Sequence, residues 1–284
     1  MNPAILYAVA ASFLFALMNA SAKFLSTSMS VPEVVFYRGV LGVILTILIM
    51  RRNKAPFEVR NWPLLISRGL FGGASLLMAF FAISSIALAE ASFLAHLSPL
   101  FTVCLGFVVL KEKMPKGFAP LFLLSCMGAV LVAAPWKSEA DIHVFYAVVG
   151  VVGAILASSA SLAIRQLSKD HNNYTIMLGF LGVAALLPIP FIEWSAFRLP
   201  TGFEAVVTLF LGTVSFVAQY CLTQAYRLEK AGLVATTRYI GILFNIILGF
   251  VIWKEVPEVE SFVGGALILV SCLALPGLSK KKES

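Results

Sequence analysis

The chain has 284 residues, of which 60% are hydrophobic and only 12% charged, with a mean hydropathy of +0.94. A soluble domain carries about 25% charged residues, so a water-soluble globule is excluded. The formal charge of +7 sits between apolar runs, as positive-inside topology requires, and not on a nucleic-acid-binding face.

A bilayer core takes about 20 apolar residues per helix. In chain order, spans are predicted near 4–22, 31–50, 65–86, 91–110, 117–134, 144–165, 174–192, 204–226, 232–253 and 260–278. The first run has no basic leader and no convincing cleavage site after it, and reads as a retained helix. Connections as short as Ala87-Leu88-Ala89-Glu90 make neighbouring helices antiparallel. No period-2 alternation supports a transmembrane barrel.

Orientation follows from Lys and Arg in alternate connections. One set holds Arg51, Arg52, Lys54, Arg60, Lys111, Lys113, Lys116, Arg165, Lys169, Arg227, Lys230 and Lys280–Lys282. The other holds Lys23, Lys137, Arg198 and Lys254. The imbalance places both termini in the cytoplasm, with a bacterial inner membrane as the expected location. Cys104, Cys126, Cys221 and Cys272 lie singly in apolar stretches without ligand or redox spacing, so no metal and no cofactor is expected.

The chain repeats itself. Leu105-Gly-Phe-Val-Val-Leu-Lys-Glu112 recurs as Leu248-Gly-Phe-Val-Ile-Trp-Lys-Glu255, and Gly69/Gly212, Ala82/Ala225 and Phe101/Phe244 keep the same spacing. One residue off that register, Lys23-Phe-Leu-Ser26 matches Arg165-Gln-Leu-Ser168. Two five-helix units follow, 1–136 and 143–278, with a basic cytoplasmic tail at 279–284. An odd number of spans per unit inverts the second relative to the first. Inverted repeats are a recurrent design of secondary transporters, which alternate access around a midplane site at the repeat interface.

Phe15-Ala-Leu-Met-Asn-Ala-Ser-Ala-Lys23, Phe36-Tyr-Arg38, Arg68-Gly-Leu-Phe-Gly72, Ala82–Ala91 and the two Lys-Glu helix ends resemble the drug/metabolite transporter superfamily with two EamA-type repeats. The resemblance spans almost the whole chain. It implies an all-α integral membrane protein, ten transmembrane helices as two inverted five-helix repeats, with a central cavity lined by both. The helix 2 arginine and the Arg-Gly of helix 3 are similar to a branch of organic-anion and S-adenosylmethionine carriers.

Intramembrane charge marks candidate site residues. Arg238 lies about 10 Å into helix 9 at 1.5 Å per residue. Arg38 lies similarly deep in helix 2, and His96 lies six residues into helix 4 with Tyr239 as its repeat mate. Asn19, Gln219 and Asn245 complete the expected substrate-binding set. The only aspartates, Asp141 and Asp170, fall in connections, so deep charge is net positive and a carboxylate-bearing substrate is expected. Each residue also has a structural reading. Arg38 pairs with Glu33 within helix 2, Arg68 snorkels to headgroups, His96 satisfies a backbone carbonyl, Lys23 marks the outer interface, and Gln219 and Asn245 join helices. Amino acids, S-adenosylmethionine and riboflavin are alternative substrates, and import and export are equally compatible with the sequence. An intramembrane enzyme lacks its buried aspartate pair, and Gly73-Ala-Ser-Leu76 is a poor protease motif. A pump lacks its phosphate loop. The expected partners are a small-molecule substrate and the lipid bilayer, with no nucleic acid, the chain working as a monomer or homodimer.

Overall fold

The computed structural model describes residues 2–111, 114, 117–136, 140–229, 234 and 237–280. Lys113, Lys116, Lys137 and Lys230 of the charge count, Glu112 of the repeated motif and the tail beyond Lys280 lie outside them. The elements are α1 (Pro3–Leu25), α2 (Val31–Arg52), α3 (Trp62–Ser85), α4 (Leu88–Ala95), α5 (Ser98–Leu110), α6 (Phe118–Ala133), α7 (Ala140–Leu167), α8 (Asn173–Leu186), α9 (Gly202–Leu228), α10 (Ile240–Trp253) and α11 (Val259–Lys280). A 3-10 turn at Ile189–Phe191 follows α8. Among the described residues, seven segments are long and apolar enough to cross a membrane and three shorter helices are apolar. Exposed Val108, Leu123, Phe145, Phe210, Ile247 and Phe262 suit a chain whose solvent on that side is hydrocarbon.

Local chemistry sets several helix ends. Asn2, Asn61 and Asn172 accept backbone N–H groups of the following first turn, and Ser30 with Glu33 forms a capping box at α2. The Glu33 carboxylate accepts from Ser30 N and Oγ at 2.8 and 2.7 Å. It is therefore committed to its own helix start, and the expected Glu33–Arg38 pair does not form. Lys111 and Lys254, the repeat-related lysines, both end their helices in the left-handed conformation, at φ 53° and 60°.

The largest departure from the predicted spans is at 91–110. Leu88–Val109 is one apolar crossing, but it is broken at His96–Leu97 into α4 and α5. Pro99 has no N–H to give and its ring clashes with the carbonyl four residues back. Leu97 and Leu100 instead donate to carbonyls three residues earlier. The ninth predicted span, 232–253, is interrupted at the related place. Gly241 and Ile242, in the first turn of α10, donate to the Arg238 and Tyr239 carbonyls three residues earlier. Residues 232, 233, 235 and 236 lie outside the described ones.

Packing between the halves comes in exchanged pairs. The α1–α9 contact has its counterpart in α3–α7, and α3–α8 in α2–α9, while α2–α8 and α6–α11 pair related helices with each other. Val183 stands 2.6 Å from where a Gly69 Cβ would lie, and Leu41 stands 2.7 Å from a Gly212 Cβ. The two glycines thus serve the same close approach in each half. Gly128 of α6 and Gly264 of α11 meet backbone to backbone, each lying with its carbonyl oxygen 2.5 Å from the other's virtual Cβ. Backbone oxygen cannot swing aside as a flexible side chain can. Gly128→Ala is expected to destabilise by about 1–3 kcal/mol, read as a lower unfolding midpoint in detergent. An unchanged midpoint would mean that α6 and α11 separate without penalty.

Candidate functional site

A cavity of about 960 Å³ runs through the centre of the bundle between the two halves. All seven residues expected from the sequence, Asn19, Arg38, His96, Gln219, Arg238, Tyr239 and Asn245, lie on its wall. They converge from α1, α2, α9, α10 and the two helix breaks, although they are scattered over the whole length of the chain.

The breaks face each other. The His96 ring lies 5.4 Å from the Tyr239 ring, and its Nδ1 and Nε2 stand 2.6 Å from the Ser92 carbonyl and 3.3 Å from the Arg238 carbonyl. A neutral imidazole donates through one nitrogen only, so one of these contacts is without a proton at any moment. Ser12 Oγ and Gly241 N also donate to the Arg238 carbonyl. The backbone freed at the break is thus satisfied at the cavity wall, where irregular backbone is tolerated at membrane depth. The Arg238 guanidinium stands 6.0 Å over the Phe15 ring.

Below the breaks, Asn19 Nδ2 donates to Asn245 Oδ1 at 3.2 Å, and Asn245 Nδ2 donates to Ser92 Oγ at 3.3 Å and the Gly241 carbonyl at 2.8 Å. Asn245 and Gln219 are buried. Asn19 and Asn245 therefore tie α1, α4 and α10 together while still bordering the cavity, so the interhelical reading and the lining position coexist. Ser75 and Ser158 donate to the carbonyls of Gly153 and Ser98, across helix pairs.

Arg38 and Arg68 are both buried. Arg38 Nε donates to Ser215 Oγ at 3.1 Å. Arg68 is not a headgroup anchor as snorkelling required. Its guanidinium turns inward, 4.2 Å over Phe180, and lines the cavity. Gly72 explains why: one turn further along α3, it has no side chain where Arg68 Nη1 lies. The Arg-x-x-x-Gly spacing was the available sequence signal.

The cavity reaches the helix-bundle end formed by Phe107 of α5, Arg165 of α7, Ser168 and Glu229. It stops short of the opposite end, where polar ties cross between halves. Lys23 is not a free interface marker. Its Nζ pairs with Glu255 and donates to the Ile86 carbonyl at 2.9 Å, while Leu88 N donates to the second Glu255 oxygen at 2.9 Å. Beside this, Glu90 accepts from Ser261 Oγ at 2.7 Å and lies 3.6 Å from His143 Nε2. Arg198 holds Glu204 through two nitrogens, at 2.7 and 2.9 Å, and Tyr37 donates to the Arg198 carbonyl. Lys23 and Glu255 were legible as motif residues, but their pairing was not, because 232 positions separate them.

Relatives match this chain over most of its length. The chain is 41% identical to a pseudopaline exporter of Pseudomonas aeruginosa over 277 residues, covering 97% of this chain and 96% of that one. It is 27% identical to mouse solute carrier family 35 member G1, covering 93% and 75%, and 23% identical to a riboflavin transporter of Brucella anthropi, covering 94% and 96%. A crystal structure 20% identical in sequence has the same fold, with a TM-score of 0.67 over 100% of this chain and 98% of that one. The sequence pattern of the EamA-like transporter family matches twice, at residues 2–134 and 144–275. With ten apolar segments among the described residues around a central cavity, and two matches that take in nearly the whole chain, the chain belongs to the EamA-like transporter family and is an integral membrane transporter.

Proposed function

We propose that the protein is a secondary transporter that exports a small carboxylate-bearing metabolite by alternating access. The observation that carries this reading is one central cavity, lined from both halves, with Arg38, Arg68 and Arg238 on its wall. A guanidinium grips a carboxylate through two parallel hydrogen bonds, and the low dielectric around a buried site strengthens the grip. Arg238 and Arg38 neutralise the substrate's charge, and His96 and Tyr239 supply hydrogen bonds.

The repeats, 1–136 and 143–278, are the rocking units. The expected topology puts both termini in the cytoplasm of a bacterial cell, with the protein in the inner membrane. The cavity's open end, at Arg165 and Glu229, then faces the cytoplasm, and the Lys23–Glu255 end closes it from outside. That is the loading state of an exporter, and the name of the 41% identical relative supports the direction. The cavity is built by a single chain, so a monomer suffices.

A thermal-shift panel on the purified protein tests the reading. Pseudopaline, dicarboxylates and tricarboxylates are expected to raise the unfolding midpoint, since a ligand that binds only the folded state stabilises it by mass action. Loading the same compounds into proteoliposomes should then drive counterflow. Stabilisation by riboflavin, which has no carboxylate, with none by carboxylates would overturn the substrate class and leave the transporter standing.

A further inference from the structure

We infer that Arg38, Arg68 and Phe180 form a second carboxylate subsite, separate from Arg238, so that the substrate carries at least two carboxylates. The inference rests on the carboxylate reading above and refines it. Both guanidinium groups lie over the same ring, Arg38 at 5.6 Å and Arg68 at 4.2 Å from the Phe180 centroid. Arg38 is 1% exposed and Arg68 4%. Arg38 Nη1 and both Nε and Nη1 of Arg68 are buried without a hydrogen-bond partner. Among the described residues neither arginine has an acidic partner.

A lone intramembrane cation costs about 2.5–3.5 kcal/mol on insertion scales. Two beside each other repel as well, and the ring face offsets only part of that. Three unpartnered N–H-bearing nitrogens, buried in residues that border the cavity, are hydrogen-bonding capacity that an anion would satisfy. Methionine at either position would pack a similar volume without that penalty, so a purely structural role does not account for the pair.

The surroundings are shaped for this. Phe180 lies in α8 where Arg38 lies in α2, and α2 and α8 pack against each other. The subsite therefore sits where the two halves meet, able to feel their relative movement. Ser215 holds the Arg38 Nε edge from α9, which leaves its Nη edge for a ligand. Gly72, the repeat mate of Ser215, leaves the space that the Arg68 head occupies. Arg238 lies at the second helix break over Phe15, one turn of α1 from the Met18 sulfur that faces Arg38 Nε, and supplies the other anchor. A ligand with one carboxylate can satisfy one end only.

The test uses the full-length purified protein and straight-chain dicarboxylates from succinate to sebacate, each compared by calorimetry with its monoamide. The monoamide keeps the length and removes one charge. The wild type is expected to bind the best-fitting dicarboxylate at least tenfold more tightly than its monoamide. Arg68→Met should erase that preference while still binding the monoamide, and Gly72→Ala, which displaces the Arg68 head without touching its charge, should reduce it. Retained monoamide binding shows that the variants are folded. Equal affinity of the wild type for dicarboxylate and monoamide, with Arg238→Ala losing both, would overturn the second subsite and leave the proposed function intact. A full preference surviving in Arg68→Met would overturn it too. Binding of neither compound, with riboflavin bound instead, would remove the carboxylate reading itself.

Discussion

Replacing Glu255 by glutamine is expected to open the closed end of the cavity. The Lys23–Glu255 pair joins α1 of the first half to the end of α10 in the second. It is the point where an ion pair, the Ile86 carbonyl and the Leu88 N–H meet. The two side chains are 12% and 22% exposed, so the pair is poorly screened, and removing one partner leaves the other charge inside. Glutamine keeps an acceptor for Leu88 N but loses the charge, isolating the electrostatic part. Every 1.4 kcal/mol lost is a tenfold shift toward opening, and about 1–3 kcal/mol is reasonable for a partly buried pair. The readout is labelling of Ile83→Cys, on the cavity wall near this end, by a membrane-impermeant maleimide in a background without the four native thiols. Labelling from outside should rise at least tenfold. Unchanged labelling would mean that apolar packing around Ile86 and Leu88 holds the end shut. Exchanging the charges between positions 23 and 255 should restore closure only partly, because a lysine at 255 cannot accept from Leu88 N.

Arg238→Ala is expected to lower substrate affinity by about a hundredfold, as loss of charge-assisted hydrogen bonds worth 1.5–3 kcal/mol implies. The protein should still purify as a monodisperse species. The contacts that hold this part of the fold are made by the Arg238 backbone, whose carbonyl receives His96, Ser12 and Gly241. An alanine keeps all three. Its side chain is only half-buried, over Phe15 at the cavity wall. Unchanged affinity in this variant would move the substrate to another part of the cavity. Arg38 would be a poorer first probe, because its Nε also holds Ser215 and a loss of binding there mixes site with packing.

The sequence by itself determined the number of apolar crossings, the internal repeat and the short list of deep polar residues. Hydropathy, charge balance and spacing are properties of local stretches, so Arg238, His96 and Asn245 stood out without any fold. The caps at Asn2, Ser30 and Asn172, found in the structure, are local in the same way, because their partners lie within a few residues. What only the tertiary structure decided depends on contacts between remote segments. The span predicted at 91–110 gave no break, although Pro99 accounts for the one found there; the second break at Arg238–Tyr239 has no proline, and it is seen only where the Arg238 carbonyl meets His96 and Ser12. Arg68 near a helix start is equally compatible with headgroups or an interior, and Phe180 and Gly72 on neighbouring surfaces decide for the interior. Which end of the cavity is closed likewise follows from Lys23 finding Glu255 across the bundle. A one-dimensional pattern states how deep a charge lies in the membrane. Its direction around the helix axis and its partner are set by packing alone.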